Sequence, residues 1–230
     1  MENKNVYTKI LKNNNEYKKL FYAQTTSTIG DWFSTIALLT FVYGITGSPF
    51  MVSLTLISKG VPQLLFSPLA GVFVDRMNRK KILIITDLIR AIIVLGFLFA
   101  DNFIYLVFIV NALMALCSTL FNPARQSVIP KMVSKEELPV ANSLSSSMQA
   151  ISAIIGSSIG GLVLGFLSPN IAFALNSMAF FISALIIKFT EIPQTEIKQQ
   201  STKKINYSRD IVDGYKFMRF TDHYFSYLWF

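Results

Sequence analysis

The sequence predicts an all-α membrane protein built as a bundle of six membrane-spanning helices, and three observations carry that prediction. Of the 230 residues, 52% are apolar and 15% are charged, and the mean hydropathy is +0.47, which is a membrane composition. Six apolar runs reach or approach the ~20 residues that cross ~30 Å of hydrocarbon as a helix. The basic residues lie almost entirely between those runs, as the positive-inside rule requires. A soluble globular protein is therefore excluded.

The predicted elements follow one another along the chain. Residues 1–20 form a polar, basic arm, and residues 21–189 form the six-span bundle. The six spans are expected at about 21–43, 50–74, 82–100, 103–121, 141–167 and 170–188. The outer turns at 44–49 and 101–102 are short and carry no basic residue, so the helices they join are predicted to be antiparallel neighbours.

Three polar segments complete the predicted organisation. Residues 122–131 are interpreted as a loop, after which Ser134 and Glu137 form a capping-box pattern that can start a helix. Residues 190–220 are predicted to be a cytoplasmic linker with an interfacial helix, because bulky residues recur there at helical spacing. Those residues are Ile211, Val212, Tyr215 and Met218. Residues 221–230 resemble the start of a truncated seventh span.

Lysine and arginine predict the orientation in the membrane. Of 21 such residues, nineteen lie in segments predicted to face the cytoplasm, none lies in an outer loop, and Lys59 and Arg90 lie within spans. The protein is therefore predicted to be a multi-pass protein of the cell membrane with a cytoplasmic N-terminus. Because the net charge of +8 follows topology, the lipid bilayer is an expected partner and nucleic acid is not.

The densest cluster of charge is the turn from Gly71 to Lys81, between the second and third spans. Its sequence is Gly-Val-Phe-Val-Asp-Arg-Met-Asn-Arg-Lys-Lys. This turn resembles the loop between the second and third helices of major facilitator superfamily transporters. The matching residues are Gly71, Asp75, Arg76, Arg79, Lys80 and Leu83. Asn78 stands where that family usually has glycine, and asparagine is the next most tolerant residue of a left-handed backbone.

The resemblance implies a fold and a function. Facilitators have about twelve spans in two six-helix halves, so the chain is expected to be the N-terminal half plus the start of the other, with a missing C-terminal half as its partner. The stretches 123–126 and 135–139 are most similar to the branch of macrolide-efflux and enterobactin-exporter-type proteins. That branch implies proton-driven efflux of amphipathic small molecules, such as macrolide-type drugs or siderophores. Asp75 and Arg79 are then expected to act as a cytoplasmic gate.

Charged side chains within spans are candidate functional groups, because they are costly in hydrocarbon. From the helical rise, Asp31 lies ~15 Å into its span, Lys59 ~17 Å from the inner surface, and Arg90 ~12 Å in. At these depths near the midplane they are predicted to bind substrate or couple protons. The alternative is mutual neutralisation in a packed interior, with Asp31 pairing either Lys59 or Arg90. Asp87 is interpreted as a supporting partner at the cytoplasmic mouth.

Two further sets of residues are compared with the family. Asn111 occupies roughly the place of an intramembrane arginine that the family often ties to proton coupling. Gly156, Gly160 and Gly161 resemble the glycine-rich signature of proton-coupled exporters, although Ser157 stands where that signature has proline. Helix packing alone is the other explanation for these glycines, because small residues let a second helix approach closely.

Enzymatic chemistry is not predicted. The sequence has no Walker loop, no Gly-x-Ser-x-Gly and no cluster of His or Cys, so no catalytic residue, metal site or cofactor is expected. The rival to a transporter is a non-transporting membrane half-domain that acts as a regulator or binds partners. A gene that continues through further spans would favour the transporter, and a stop soon after Phe230 would favour the rival.

Overall fold

A computed structural model describes residues 10–101, 103–164, 166 and 168–193. Within these ranges the chain forms six long helices. They are α1 (Asn15–Thr46), α2 (Pro49–Arg76), α3 (Arg79–Ile93, continued by a 3-10 segment Val94–Phe99), α4 (Tyr105–Met132), α5 (Leu138–Leu164) and α6 (Pro169–Lys188). The first nine residues of the predicted arm, nearly all of the predicted linker and the partial seventh span lie outside the described residues.

The helices have the length and composition of membrane spans. Five of them, namely α1, α2, α3 with its 3-10 continuation, α4 and α6, are long and apolar enough to cross a bilayer. Helix α5 has 27 residues and no charged side chain, and at 1.5 Å per residue it extends for about 40 Å. The predicted all-α, multi-pass membrane fold is therefore confirmed.

Local sequence signals set several helix ends. Gly47 ends α1 in the left-handed conformation with φ of 61°, and Pro49 begins α2. Asn78 has an extended backbone with φ of −67°, and its side chain accepts a hydrogen bond from the Lys81 amide. The expectation that Asn78 replaces a left-handed glycine is therefore wrong, since Asn78 serves as the N-cap of α3.

Helix α4 is longer than the sequence suggested. Residues 122–131 are helical and not a loop, and the helix passes through Pro123 and Pro130 before it ends at Met132. Membrane helices tolerate proline where neighbouring helices pack around them. The predicted capping box does form, because the Glu137 amide donates to the Ser134 hydroxyl and the Ser134 amide donates to the Glu137 carboxylate, each at 3.3 Å.

The packing order of the helices shows an internal repeat. The most extensive contacts join α1 to α5 and α6, α4 to α2 and α3, and α3 to α6. Exchanging α1, α2 and α3 with α4, α5 and α6 converts four of these pairs into one another and leaves the α3–α6 pair unchanged. This is the contact pattern of two three-helix repeats within one six-helix half, which is the architecture of major facilitators.

Two apolar clusters leave a polar layer between them. One cluster contains Tyr17, Leu83 and Ile187 at the end of the bundle where α1 begins and α2 ends, hereafter the basic end. The other contains Val42, Phe97 and Phe173 at the opposite end. Asp31 on α1 and Asp87 and Arg90 on α3 lie between these positions along their helices, so the fold collects these three charges in one layer.

Candidate functional site

A cavity of about 380 Å³ opens into the polar layer. Its walls come from α1, α2, α3, α4 and α5, and they combine charged, amide, hydroxyl and large apolar side chains. The lining residues are Gln24, Ser27, Thr28, Asp31, Trp32, Thr35, Leu56, Lys59, Arg90, Ser118, Phe121, Asn122, Arg125 and Gln149. The three charged residues that were predicted near the midplane thus lie on the wall of one cavity.

Asp31 and Lys59 form an ion pair between α1 and α2. The Lys59 Nζ lies 3.4 Å from Asp31 Oδ2, and the side chains are 31% and 33% exposed, respectively. Asp31 is about 24 Å along α1 from Asn15, and Lys59 is about 26 Å along α2 from Arg76, so the two residues are level within the bundle. Of the two cations that the sequence left open as partners of Asp31, the structure places Lys59 beside it.

Arg90 pairs instead with Asp87, one turn earlier on α3. Arg90 Nη2 donates to Asp87 Oδ1, and the Ser183 hydroxyl donates to the other carboxylate oxygen at 2.7 Å. The guanidinium lies over the rings of Phe121 and Phe180, at 4.3 and 4.6 Å from their centroids. Asp87 has no exposed surface. It is thus enclosed in the bundle. The sequence analysis had instead placed Asp87 at a cytoplasmic mouth.

Asn111 joins α4 to α2. Its side-chain amide donates to the Thr55 carbonyl oxygen at 2.9 Å and to the Ser58 hydroxyl at 3.4 Å. Asn111 also borders a space of about 10 Å³ beside Asp31 and Lys59, which is on the scale of a single water molecule. Its donors are therefore already engaged in holding α2 beside the ion pair.

The charged turn lies at the basic end. Asp75, at the end of α2, is 74% exposed, and its carboxylate lies 3.4 Å from the guanidinium of Arg79, the first residue of α3. Arg76 is also exposed, and Lys80 and Gly71 are partly buried. A Cβ atom at Gly71 would have no described atom within 4 Å. The turn therefore presents its carboxylate outward, where another segment can reach it.

The family model of the Major Facilitator Superfamily matches residues 20–226, which include all six helices except the first residues of α1. The chain belongs to the Major Facilitator Superfamily. Within the described residues, no group of three His, Cys, Asp or Glu side chains is placed to hold a metal ion.

Several curated members of the superfamily are similar to this chain. BacE of Bacillus subtilis (strain 168), named as a candidate bacilysin exporter, is 35% identical over 203 residues, which are 83% of this chain and 49% of BacE. The uncharacterized MFS-type transporter YfiS of the same organism is 27% identical over 214 residues, or 91% and 51% of the two chains. Macrolide efflux protein A of Streptococcus pyogenes is 27% identical over 213 residues, or 89% and 52%. The chain spans about half the length of these relatives.

The glycines of α5 meet α1 in this superfamily member. A Cβ atom at Gly156 would lie 2.7 Å from the Ile29 carbonyl oxygen, and one at Gly160 would lie 3.1 Å from the Phe33 carbonyl oxygen. A Cβ atom at Gly161 would meet no described atom within 4 Å. Close helix contact therefore involves Gly156 and Gly160, and it holds the α1 wall of the cavity against α5.

Arg125 and Gln24 are cavity residues that the sequence analysis missed. Arg125 was assigned to a loop, yet it lies within α4 and is only 7% exposed. The signal that could have found it is the run of Phe121, Arg125 and Val128, which recur at helical spacing and are all buried. Gln24 is 2% exposed on α1 and appeared in the sequence as one polar residue among several.

Proposed function

We propose that this chain is the N-terminal half of a secondary active exporter that moves amphipathic small molecules out of the cell. The observation that carries the proposal is the polar cavity of about 380 Å³, with the Asp31–Lys59 ion pair on its wall. Charged groups within a membrane bundle are costly and are retained where they bind substrate or ions. A C-terminal half of the same architecture is the proposed partner, and rocking of the two halves would expose the cavity to each side in turn.

Amphipathic compounds are the proposed substrates because of the composition of the cavity wall. Trp32, Leu56 and Phe121 offer apolar area beside the charged and amide side chains, as in sites that bind a bulky molecule and orient it by a few polar groups. Macrolide-type drugs and siderophores are the first compounds to test. The names of BacE and macrolide efflux protein A, which describe export of small molecules by those proteins, support efflux as the direction.

Asp31 is the proposed proton-coupling residue. Its carboxylate is partly exposed to the cavity, and its 3.4 Å contact with Lys59 bridges two helices. A substrate that enters beside Lys59 can displace the carboxylate from its partner, and a carboxylate that has lost its cation binds a proton more readily than a paired one. Because the two states of the pair differ in charge, proton movement and substrate movement become linked.

The test compares Asp31→Asn with wild type in the complete gene product reconstituted in vesicles. We expect Asn to reduce export driven by a pH gradient at least tenfold, while substrate binding measured without a gradient changes much less. Asp101→Asn, an exposed acid between α3 and α4, is the charge-matched control and should export normally. Unchanged export by Asp31→Asn would reduce Asp31 to a structural partner of Lys59.

Orientation in the plasma membrane is a separate part of the proposal. The basic end holds the charged turn and the start of α1, so the positive-inside rule puts that end and the N-terminus in the cytoplasm. With Cys117 replaced, a cysteine at Ser48 should react with an impermeant thiol reagent from outside, and a cysteine at Ser134 only from inside. The reverse pattern of labelling would overturn the assigned topology.

A further inference from the structure

The cavity carries one positive charge that no described side chain compensates. Three cations line it, of which Lys59 pairs with Asp31 and Arg90 pairs with Asp87. Arg125 is only 7% exposed, and no hydrogen bond or ion pair joins its guanidinium to the part of the chain that the structure describes. A buried charge is normally paired, because removing it from water is costly. The cavity that Arg125 lines is therefore the place where an anion would be most strongly stabilised.

Three side chains that line the same cavity carry buried hydrogen-bond donors without an acceptor, and this favours the same kind of group. The Nε atoms of Arg90 and Arg125 and the side-chain nitrogen of Gln24 are buried without an acceptor among the described residues. All three side chains line the cavity, and they come from α3, α4 and α1. Buried donors nearly always have an acceptor. Three donors and one uncompensated cation together match oxygen atoms that carry negative charge.

We propose that the cavity recognises a carboxylate on the exported molecule, with Arg125 as the principal contact and Gln24 as a neutral donor beside it. This inference rests on the proposed export function and narrows its substrate class to acidic compounds, so that macrolide-type drugs, which carry an amine, become the weaker of the two candidates. The single uncompensated charge of Arg125 matches a ligand with one negative charge. The planar guanidinium can donate two parallel N–H hydrogen bonds to the two oxygens of a carboxylate. The apolar body of the molecule packs on Trp32 and Phe121. Since Arg90 and Arg125 both line the site and only Arg90 has a carboxylate partner, an acidic compound is favoured over an amine.

Binding of three matched probes to the complete gene product in detergent tests this inference without any gradient. The probes are 1-naphthylacetate, its amide and 1-naphthylmethylammonium, which share one aromatic body and differ in head-group charge. Trp32 lines the cavity, so quenching of its fluorescence reports occupancy, and the signal of a Trp32→Phe variant is subtracted. We expect wild type to bind the carboxylate about tenfold or more tightly than the amide, and the ammonium most weakly.

Variants then assign the preference to Arg125. Arg125→Gln should weaken carboxylate binding by about tenfold or more and leave amide binding within about twofold. Arg125→Lys, which keeps the charge but loses the fork, should lie between Gln and wild type. Lys81→Gln removes the same charge from an exposed position at the start of α3 and should behave as wild type.

The inference is overturned if wild type binds the ammonium as well as the carboxylate, or if Arg125→Gln retains the preference. Retained preference together with a lower unfolding temperature in Arg125→Gln would show that Arg125 pairs with an acid elsewhere in the complete gene product. Failure of the export function is a different result. In that case probe binding shows the carboxylate preference, but vesicles move no substrate when a gradient is applied.

Discussion

Two ion pairs of similar composition lie in the same layer of the bundle and differ in every other respect. Asp87 and Arg90 are on one helix, with side chains 0% and 7% exposed, and a serine hydroxyl and two aromatic rings fix them in place. Asp31 and Lys59 are on different helices, each about one-third exposed, with their charged atoms 3.4 Å apart. The first pair is almost fully buried, although Arg90 also lines the cavity, whereas both members of the second pair are partly open to it.

The difference separates a fixed part of the polar layer from an adaptable part. Breaking a buried pair leaves a charge without a partner, so separating Asp87 from Arg90 is costly. A partly exposed pair is screened, and its members can separate at little cost. This is why the proposed coupling step is assigned to Asp31, whereas Arg90 forms a fixed part of the cavity wall.

The largest effect is expected from Asp87→Leu, which leaves Arg90 buried without its counter-ion. Such a change should lower the free energy of unfolding by about 3–5 kcal/mol. Asp31→Leu, at the partly exposed pair, should lower it by no more than about 1 kcal/mol. Denaturant or thermal unfolding of the purified proteins measures both values. Equal losses at the two sites would show that burial does not distinguish the pairs.

A double substitution is the control for this comparison. If the loss in Asp87→Leu comes from the uncompensated charge, adding Arg90→Met should recover most of it, because an apolar pair of similar volume often replaces a buried ion pair without loss of stability. A double variant as unstable as the single one would instead assign the loss to the Ser183 hydrogen bond and the altered packing.

The second comparison is between two glycines of α5, and the expected effect on the free energy of unfolding is intermediate. Gly156→Ala places a Cβ atom 2.7 Å from the Ile29 carbonyl oxygen and 2.8 Å from Trp32 Cβ, so one helix must move. We expect a loss of about 1–3 kcal/mol in unfolding free energy. Gly161→Ala meets no described atom within 4 Å, and it should leave stability unchanged or raise it by up to about 1 kcal/mol.

The Gly156 result also tests whether the seam between α1 and α5 holds the cavity wall. Trp32 lies on that wall, so movement of α1 should change its fluorescence in Gly156→Ala and leave it unchanged in Gly161→Ala. Similar losses of stability in the two variants would mean that the close approach seen at Gly156 is not the cause.

The sequence predicted the fold well because hydropathy and charge directly reflect the membrane. Run length located the helices, and the charge asymmetry predicted which end is basic. Local chemistry also identified the capping box at Ser134 and Glu137. The sequence placed Asp31, Lys59 and Arg90 at one depth, since depth follows from the helical rise.

The remaining features depend on packing that the linear sequence does not contain. Whether Asp31 pairs with Lys59 or Arg90 depends on the rotation of α2 and α3 about their axes, and α3 turns Arg90 toward Asp87 and the rings of Phe121 and Phe180. Arg125 was missed because a charge between two prolines resembles a loop. In the structure, neighbouring helices support the backbone there and bury the guanidinium.

The smallest effect on stability is expected at the charged turn, where Asp75 is more exposed than any member of the two pairs compared above. Asp75→Asn should leave unfolding unchanged, because Asp75 is 74% exposed and surface pairs add little. The same change should lower gradient-driven export, since a carboxylate at the end of α2 can interact favourably with the N-terminus of a helix from the other half when the cytoplasmic face closes. Arg79→Ala should act in the same direction, and Lys81→Gln serves as the control for lost charge.

Two outcomes would contradict the role of the turn as a gate. If Asp75→Asn and Arg79→Ala both export normally, the turn is not a gate. If reduced export comes with reduced stability, the 3.4 Å contact between Asp75 and Arg79 supports the fold and its effect on transport is indirect.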